Sequence, residues 1–96
     1  VIGGDLNVHV QPGGHDDPAE LLFAETAARG YDWAHCNAAA QTTRPSRWSP
    51  GAETRQLDWF CTRGFIAESP RVIPALDDDG TVLSDHDLIT VELRTA

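Results

Sequence analysis

The sequence predicts one small α/β domain, a mixed, mostly antiparallel sheet of about four or five strands with one helix on a face. Two observations lead to this class. One segment has apolar residues at helical spacing between recognisable start and stop signals. Several shorter apolar segments have the length and the β-branched or aromatic content of strands. At 96 residues the chain suits a single domain that buries a modest fraction of its surface.

The helix is predicted from about Pro18 to Arg29. Asp17 suits the N-cap, and Pro18 and Glu20 suit the first and third helical positions. Gly30 then suits the left-handed residue that commonly ends a helix. The residues that recur at helical spacing, and that should face the sheet, are Leu22, Phe23, Thr26 and Ala27.

Apolar runs of strand length recur from the first residue to the end of the chain. In the opening run, Gly3 and Gly4 indicate a buried strand end whose backbone turns or packs closely. The clearest run contains Asp58, which needs a partner because an unpaired buried carboxylate is costly. The predicted strands are Val1–Ile2, Arg55–Arg63, a strand within Ile66–Ile73 interrupted by Pro70, and Leu88–Leu93.

The apolar content and the net charge limit the kinds of function that this chain could have. Apolar residues make up 41% of the chain, which is ordinary for a globular protein. The net charge of −8 argues against a protein that grips nucleic acid by bulk electrostatics. The same charge suits a site that concentrates carboxylates around a cation. No signal peptide or membrane span is visible, and the localisation stays open.

The two cysteines, Cys36 and Cys61, permit one disulfide or remain as two buried thiols. Their spacing matches no zinc motif, because a structural zinc site needs about four clustered ligands.

Three polar stretches each allow two interpretations. His15–Asp17 could hold a metal, or form a solvated loop and helix cap. Asp77–Gly80 resembles a calcium loop but lacks the alternating acids and closing Glu of an EF-hand, which favours a turn. Asn37–Thr54 is long and irregular, as functional or mobile loops are. Within it, Arg44 and Arg47 could contact a phosphate or remain solvated.

Three motifs place polar groups at or within predicted strands. Asp5 and Asn7 are two residues apart, so on an extended backbone they project from the same face. Asp58 lies inside an apolar strand, and Asp85 and His86 directly precede the last strand. In this order, the motifs GDLN, LDWF and SDHDLI resemble the carboxyl-terminal half of the endonuclease/exonuclease/phosphatase superfamily, the DNase I-like metal-dependent phosphoesterases. The resemblance runs from Val1 to about Leu93.

The resemblance implies that residues 1–96 are the carboxyl-terminal half of such a domain, which is half of a four-layer αββα sandwich. The chain also starts without Met, at residues that already suit a strand. The absent amino-terminal half would carry an Asn, a metal-binding Glu and a phosphate-contacting residue. The inner sheet face should be apolar, so the isolated chain could form a homodimer.

The chemistry of phosphoester hydrolysis and the resemblance assign the same roles. Asp85 is the expected metal ligand, for Mg²⁺ or Mn²⁺. His86 would donate to a phosphoryl oxygen or transfer a proton, with Asp58 fixing its tautomer and charge. Asp5 would orient or deprotonate the attacking water, and Asn7 would donate to developing negative charge.

This chain departs from the family pattern in residues without a chemical role. Trp59 stands where Tyr or an aliphatic residue is usual, Gln56 where Arg is frequent, and Leu88 where Pro is frequent. The expected function is metal-dependent hydrolysis of a phosphodiester or phosphomonoester in a nucleic acid, a phospholipid headgroup or a small molecule. The isolated portion should be inactive and bind metal weakly. The alternative is a non-catalytic fragment or interaction module that keeps the fold without a complete site.

Overall fold

A computed structural model describes residues 1–8, 18–52 and 54–96. The predicted N-cap Asp17 and the His15–Asp17 cluster lie outside this part of the chain. The elements in chain order are β1 (Ile2–Asp5), α1 (Pro18–Ala28), β2 (Asp58–Cys61), β3 (Phe65–Ile73) and β4 (Leu88–Thr95).

The strands pair antiparallel as predicted, but they form two separate sheets in place of one. β1 pairs with β2, and β3 pairs with β4. The segment Thr42–Arg44 lies between the two sheets. The amides of Thr42 and Thr43 donate to the Arg55 carbonyl at 2.8 and 3.1 Å, and Thr43 forms an isolated antiparallel bridge with His86. A short irregular segment therefore joins the residues that lead into β2 and β4.

The predicted helix is confirmed to within a residue at its carboxyl end. Gly30 adopts φ 85°, and its amide donates to the Ala27 carbonyl at 3.0 Å, which closes the last turn. Phe23 meets Trp33 and Trp59 edge-to-face, with ring centroids 4.5 and 4.9 Å apart. Through this aromatic cluster α1 covers β2.

β1 and β2 approach closely because Gly3 carries no side chain. Gly3 lies opposite Phe60 in the register, and a Cβ at Gly3 would lie 2.5 Å from the ring of Phe60. The close approach predicted for the opening glycines is confirmed. Ile2, expected to be buried, is 45% exposed, and β2 is shorter than the predicted strand Arg55–Arg63.

β3 and β4 form the longer pair, and both were predicted. The register shifts between Glu68 and Arg71, where Ser69 has φ 52° ahead of Pro70. This bulge explains how a proline is accommodated inside the strand. Asp77–Gly80 forms the predicted turn, with the Gly80 amide donating to the Asp77 carbonyl at 3.1 Å.

The buried apolar core of the described residues is small and consists of Cys36, Trp59 and Cys61. Both cysteines are free, buried thiols, the second of the two alternatives. Burial raises the pKa of Cys36 to about 11 and also raises the pKa of Cys61. These thiols therefore stay protonated at neutral pH and serve packing. No helix in the described ranges is long and apolar enough to cross a membrane.

Candidate active site

His86 and Asp58 make the hydrogen bond that the sequence predicted. His86 Nδ1 lies 2.9 Å from Asp58 Oδ2 and 3.1 Å from Oδ1. The Asp58 side chain is only 11% exposed, whereas the His86 side chain is 34% exposed. A carboxylate this buried orients the imidazole and leaves the second ring nitrogen toward the more exposed side.

Thr42 is fully buried, and its side chain contacts the Asp58 carboxylate. Its Oγ1 donates to Asp58 Oδ2 at 2.7 Å. The same oxygen accepts the amides of Leu57 and Asp58 at 3.0 and 3.1 Å. Thr42 therefore fixes both the backbone entering β2 and the carboxylate that β2 carries.

Asp5 reaches the opposite side of the imidazole because of the β1–β2 register. Asp5 lies directly opposite Asp58 at the end of the strand pair. Its Oδ2 is 3.6 Å from His86 Nε2, an ion-pair distance when the ring is protonated. Two carboxylates thus flank one imidazole, one at each ring nitrogen.

Asn7 does not share the extended face expected with Asp5. Asn7 has φ 55°, in the left-handed region that Asn tolerates, so the alternation of a strand ends before it. Its amide donates to Asp5 Oδ1 at 2.9 Å, which forms a tight polar turn. Asn7 therefore orients Asp5 through its backbone.

The two carboxylates favour the protonated form of His86. The hydrogen bond to Asp58 raises the pKa of His86 above its ordinary value, while burial opposes the shift. The charges of Asp58, Asp5 and Asp85 raise the pKa further. The imidazole therefore holds its proton to higher pH than an isolated histidine does.

Asp85 and His86 line an open cleft with a volume of about 320 Å³. Its other lining residues are Thr43, Ala52, Arg55 and Leu57. The Asp85 backbone carbonyl accepts the Arg44 amide at 2.9 Å. Within the described part of the chain, the Asp85 carboxylate makes no hydrogen bond.

A carboxylate without a hydrogen-bond partner in a cleft suits a hard divalent cation, which prefers carboxylate and water oxygens. Asp85 thus fits one ligand of a magnesium or manganese site. Among residues 1–8, 18–52 and 54–96, however, no group of three or more His, Cys, Asp or Glu side chains is arranged to hold a metal. The described residues alone therefore form no complete metal site.

The two arginines of the long segment were expected either to contact a phosphate or to remain solvated. Arg44 does neither, whereas Arg47 is solvated. Arg44 is neither solvated nor a lining residue of the cleft. It pairs with Asp87, with Nε and Nη2 at 2.7 and 3.0 Å from the two carboxylate oxygens. Arg47 is exposed and stacks on Trp48, with its guanidinium carbon 5.0 Å from the ring centre.

Sequence reasoning missed two residues that hold the site together, Thr42 and Asp87. Thr42 carried no signal beyond its place in an irregular, threonine-containing segment. Asp87 directly follows His86 and precedes an apolar strand. An acid at the entrance of an apolar strand needs a partner if it is buried, and this was the available signal.

Comparison with protein-family models, with curated proteins and with solved structures finds no match for this chain.

Proposed function

We propose that this chain is the carboxyl-terminal portion of a metal-dependent phosphoesterase of the endonuclease/exonuclease/phosphatase type. The observation that supports it most is the approach of three distant residues, Asp5, Asp58 and His86. Asp58 lies 2.9 Å from one ring nitrogen and Asp5 lies 3.6 Å from the other. A structural histidine needs one partner, whereas an imidazole oriented by a buried carboxylate beside an open cleft is equipped for proton transfer.

His86 is the group that handles a proton in this proposal. With Nδ1 held by Asp58, the imidazole presents Nε2 toward Asp5. In its protonated form, Nε2–H donates to a phosphoryl oxygen and neutralises the charge that develops there. Asp5 orients the attacking water and accepts its proton.

The neighbours of these residues complete the local chemistry. Asn7 holds Asp5 through its amide, and its side-chain amide is the proposed donor to developing negative charge. Asp85 is the proposed ligand of Mg²⁺ or Mn²⁺. When bound, such a cation supplies electrophilic support to the phosphoryl oxygens.

The proposal places these residues in one half of a four-layer αββα sandwich. Two features support that placement. Mg²⁺ is commonly held by one or two carboxylates with waters and substrate oxygens, so a second carboxylate from another segment would complete the protein share of the proposed site. Large apolar side chains on the strand pairs are also exposed, among them Ile2, Phe65, Ile73 and Leu88. A second sheet would cover these exposed apolar side chains and could carry the additional metal ligands.

A non-catalytic interaction module is the second candidate function. The observation that favours it is the incomplete set of metal ligands among the described residues. In that case the apolar strand faces would bind a partner, and the Asp58–His86 pair would serve packing alone. The two candidates differ in whether changes at Asp85 and His86 alter catalysis.

The test uses the complete protein that carries this chain, including the proposed amino-terminal half. Hydrolysis of bis(p-nitrophenyl) phosphate and p-nitrophenyl phosphate is measured against Mg²⁺ concentration. Asp85→Ala should lose most Mg²⁺-dependent hydrolysis because a metal ligand is removed. His86→Ala should lower turnover by about 10²- to 10⁴-fold while metal affinity is largely kept.

A second histidine–aspartate pair provides a matched control. His35 Nδ1 lies 3.2 Å from Asp32 Oδ2, but its side chain is 77% exposed. His35→Ala should leave hydrolysis unchanged. Loss of metal binding in His86→Ala with retention in Asp85→Ala would reverse the assigned roles. Unchanged hydrolysis in both variants would exclude the catalytic proposal and favour the interaction module.

A further inference from the structure

Asp87 is a buried acid that the proposed reaction does not use. Its side chain is 4% exposed, and it pairs with Arg44, which is 26% exposed. The Arg44 guanidinium donates a hydrogen bond to each carboxylate oxygen of Asp87, from Nε at 2.7 Å and from Nη2 at 3.0 Å. The Ala75 amide also donates to Asp87 Oδ1, at 2.8 Å. This planar two-point contact has a defined direction, which a single-point contact lacks.

The same two segments are joined through their backbones. The Asp87 amide donates to the Thr42 carbonyl at 2.7 Å, and the Arg44 amide donates to the Asp85 carbonyl at 2.9 Å. Thr43 and His86 are the bridge partners between these two bonds. The side-chain pair therefore closes a short antiparallel ladder that has His86 at its centre.

This ladder contacts both partners of the Asp58–His86 hydrogen bond. Thr42 donates to Asp58 Oδ2 at 2.7 Å. His86 is the central residue of the ladder, and Arg44 holds Asp87, the residue that follows it. Movement of one segment against the other would change the distance between the Asp58 carboxylate and the imidazole.

We propose that Arg44 and Asp87 form a positioning pair that directs the His86 imidazole toward Asp58 and holds Asp85 at the cleft. The part that concerns catalysis rests on the proposed function. Neither residue lines the cleft, so the pair acts through its neighbours. Burial separates it from an ordinary surface pair such as Arg94–Glu68, in which the side chains are 64% and 52% exposed.

The first test measures position without any need for activity. In the 96-residue chain, imidazole NMR reports the Nδ1 proton of His86 and the ring tautomer. Arg44→Lys keeps the positive charge but cannot form the bidentate hydrogen bond. Asp87→Asn keeps the shape of the side chain but removes its negative charge. Both should weaken the Nδ1 proton signal or shift it upfield, and Asp58→Asn should do so most strongly. Arg94→Gln is the matched control and should leave the signal unchanged.

The second test measures kinetics in the complete protein. Asp87→Asn should lower kcat by about 10- to 100-fold, the usual effect of losing an orienting partner, with a smaller change in KM. Arg44→Lys should lower kcat less, because its charge still stabilises Asp87. The double variant Arg44→Asp with Asp87→Arg restores an ion pair with exchanged charges, so it should recover part of the lost kcat.

The two tests separate failure of this inference from failure of the proposed function. An unchanged His86 signal in folded Arg44→Lys and Asp87→Asn would overturn the positioning role, whether or not the protein hydrolyses phosphoesters. A changed signal in a protein without hydrolase activity would keep the positioning role and remove the catalytic one. A rise in KM with constant kcat would show that the pair acts in substrate binding, which would also overturn the inference.

Discussion

Asp58 and His86 show how a buried acid gives a histidine a defined direction and charge. Thr42 fixes the acid, and the acid fixes the ring through Nδ1. The apolar surroundings of Asp58 explain why the partner was predictable, because a buried carboxylate without one is costly. Thr42 was not predictable, because no local pattern distinguishes a supporting threonine from a solvated one in an irregular segment.

The raised pKa of His86 makes stability depend on pH in a defined direction. The folded state binds the proton more tightly than the unfolded chain, because of the hydrogen bond to Asp58 and the charges of Asp58, Asp5 and Asp85. This contribution to stability is fully present below the ordinary value of 6.5. It is lost as the pH rises through the raised value in the folded protein.

Asp58→Asn should therefore lower the pKa of His86 toward its ordinary value, because the main cause of the rise is removed. An NMR titration of the His86 ring measures this shift directly. The stability lost between the ordinary and the raised pKa should therefore be smaller in the variant, and the loss should end at a lower pH, as followed by urea unfolding. Substitution of Asp32, the partner of the exposed His35, should leave the His86 titration unchanged. An unaltered His86 titration in Asp58→Asn would contradict the assigned cause.

At the scale of elements, local signals predicted the helix and strands better than their arrangement. α1 has a proline start and a glycine end, and β3 and β4 follow apolar runs, so each was found close to its observed bounds. The single predicted sheet was wrong because Thr42–Arg44 lies between the strand pairs. Its pairing with Arg55 and with Asp85–Asp87 depends on long-range contacts that leave no periodic pattern in the sequence.

The β1–β2 pair depends on the absence of a side chain at Gly3. Gly3→Ala should destabilise the protein by about 1–3 kcal/mol, the usual cost of overpacking, because its Cβ would lie 2.5 Å from Phe60 Cδ1. The free energy of unfolding in urea measures the cost. Gly51→Ala is the control, since a Cβ there meets no atom of the described residues within 4 Å.

A smaller side chain at position 60 should relieve that strain. The double variant Gly3→Ala with Phe60→Leu should lose less stability than the sum of its single variants. Additive losses would mean that the close contact with the ring is not the cause. Because Asp5 is carried by β1, the same strain should also disturb the distance between Asp5 and His86.

At the scale of the whole molecule, the chain is a thin slab with extents of 41 × 34 × 17 Å. Its accessible surface is 6236 Å², compared with about 5,400 Å² for a folded monomer of this mass. The face of the β3–β4 pair that carries Val72 and Ile89 lies toward Cys36, Thr42 and Asp58. The opposite face carries the exposed apolar pair Ile73 and Leu88 at one end, next to the polar pair Arg71 and Thr90.

Ile73 and Leu88 are the clearest members of that outer face. They are directly opposite each other in the β3–β4 register, so their side chains lie on the same face. Ile73 is 44% exposed and Leu88 is 58% exposed. Paired apolar side chains on one open sheet face favour contact with another surface, whereas a single exposed leucine is common on any protein.

The isolated chain should therefore self-associate through this face. Sedimentation velocity over a hundredfold range of concentration should give a mass that rises above 10.4 kDa. Ile73→Thr with Leu88→Thr should return the chain to a monomer at the same concentrations, because threonine keeps strand preference and removes apolar surface. Leu21→Gln, at a 61% exposed position on α1, is the matched control and should leave association unchanged. A wild-type chain that stays monomeric throughout, or association that survives the paired substitution and is lost with Leu21→Gln, would show that the outer face of β3 and β4 is not the contact surface.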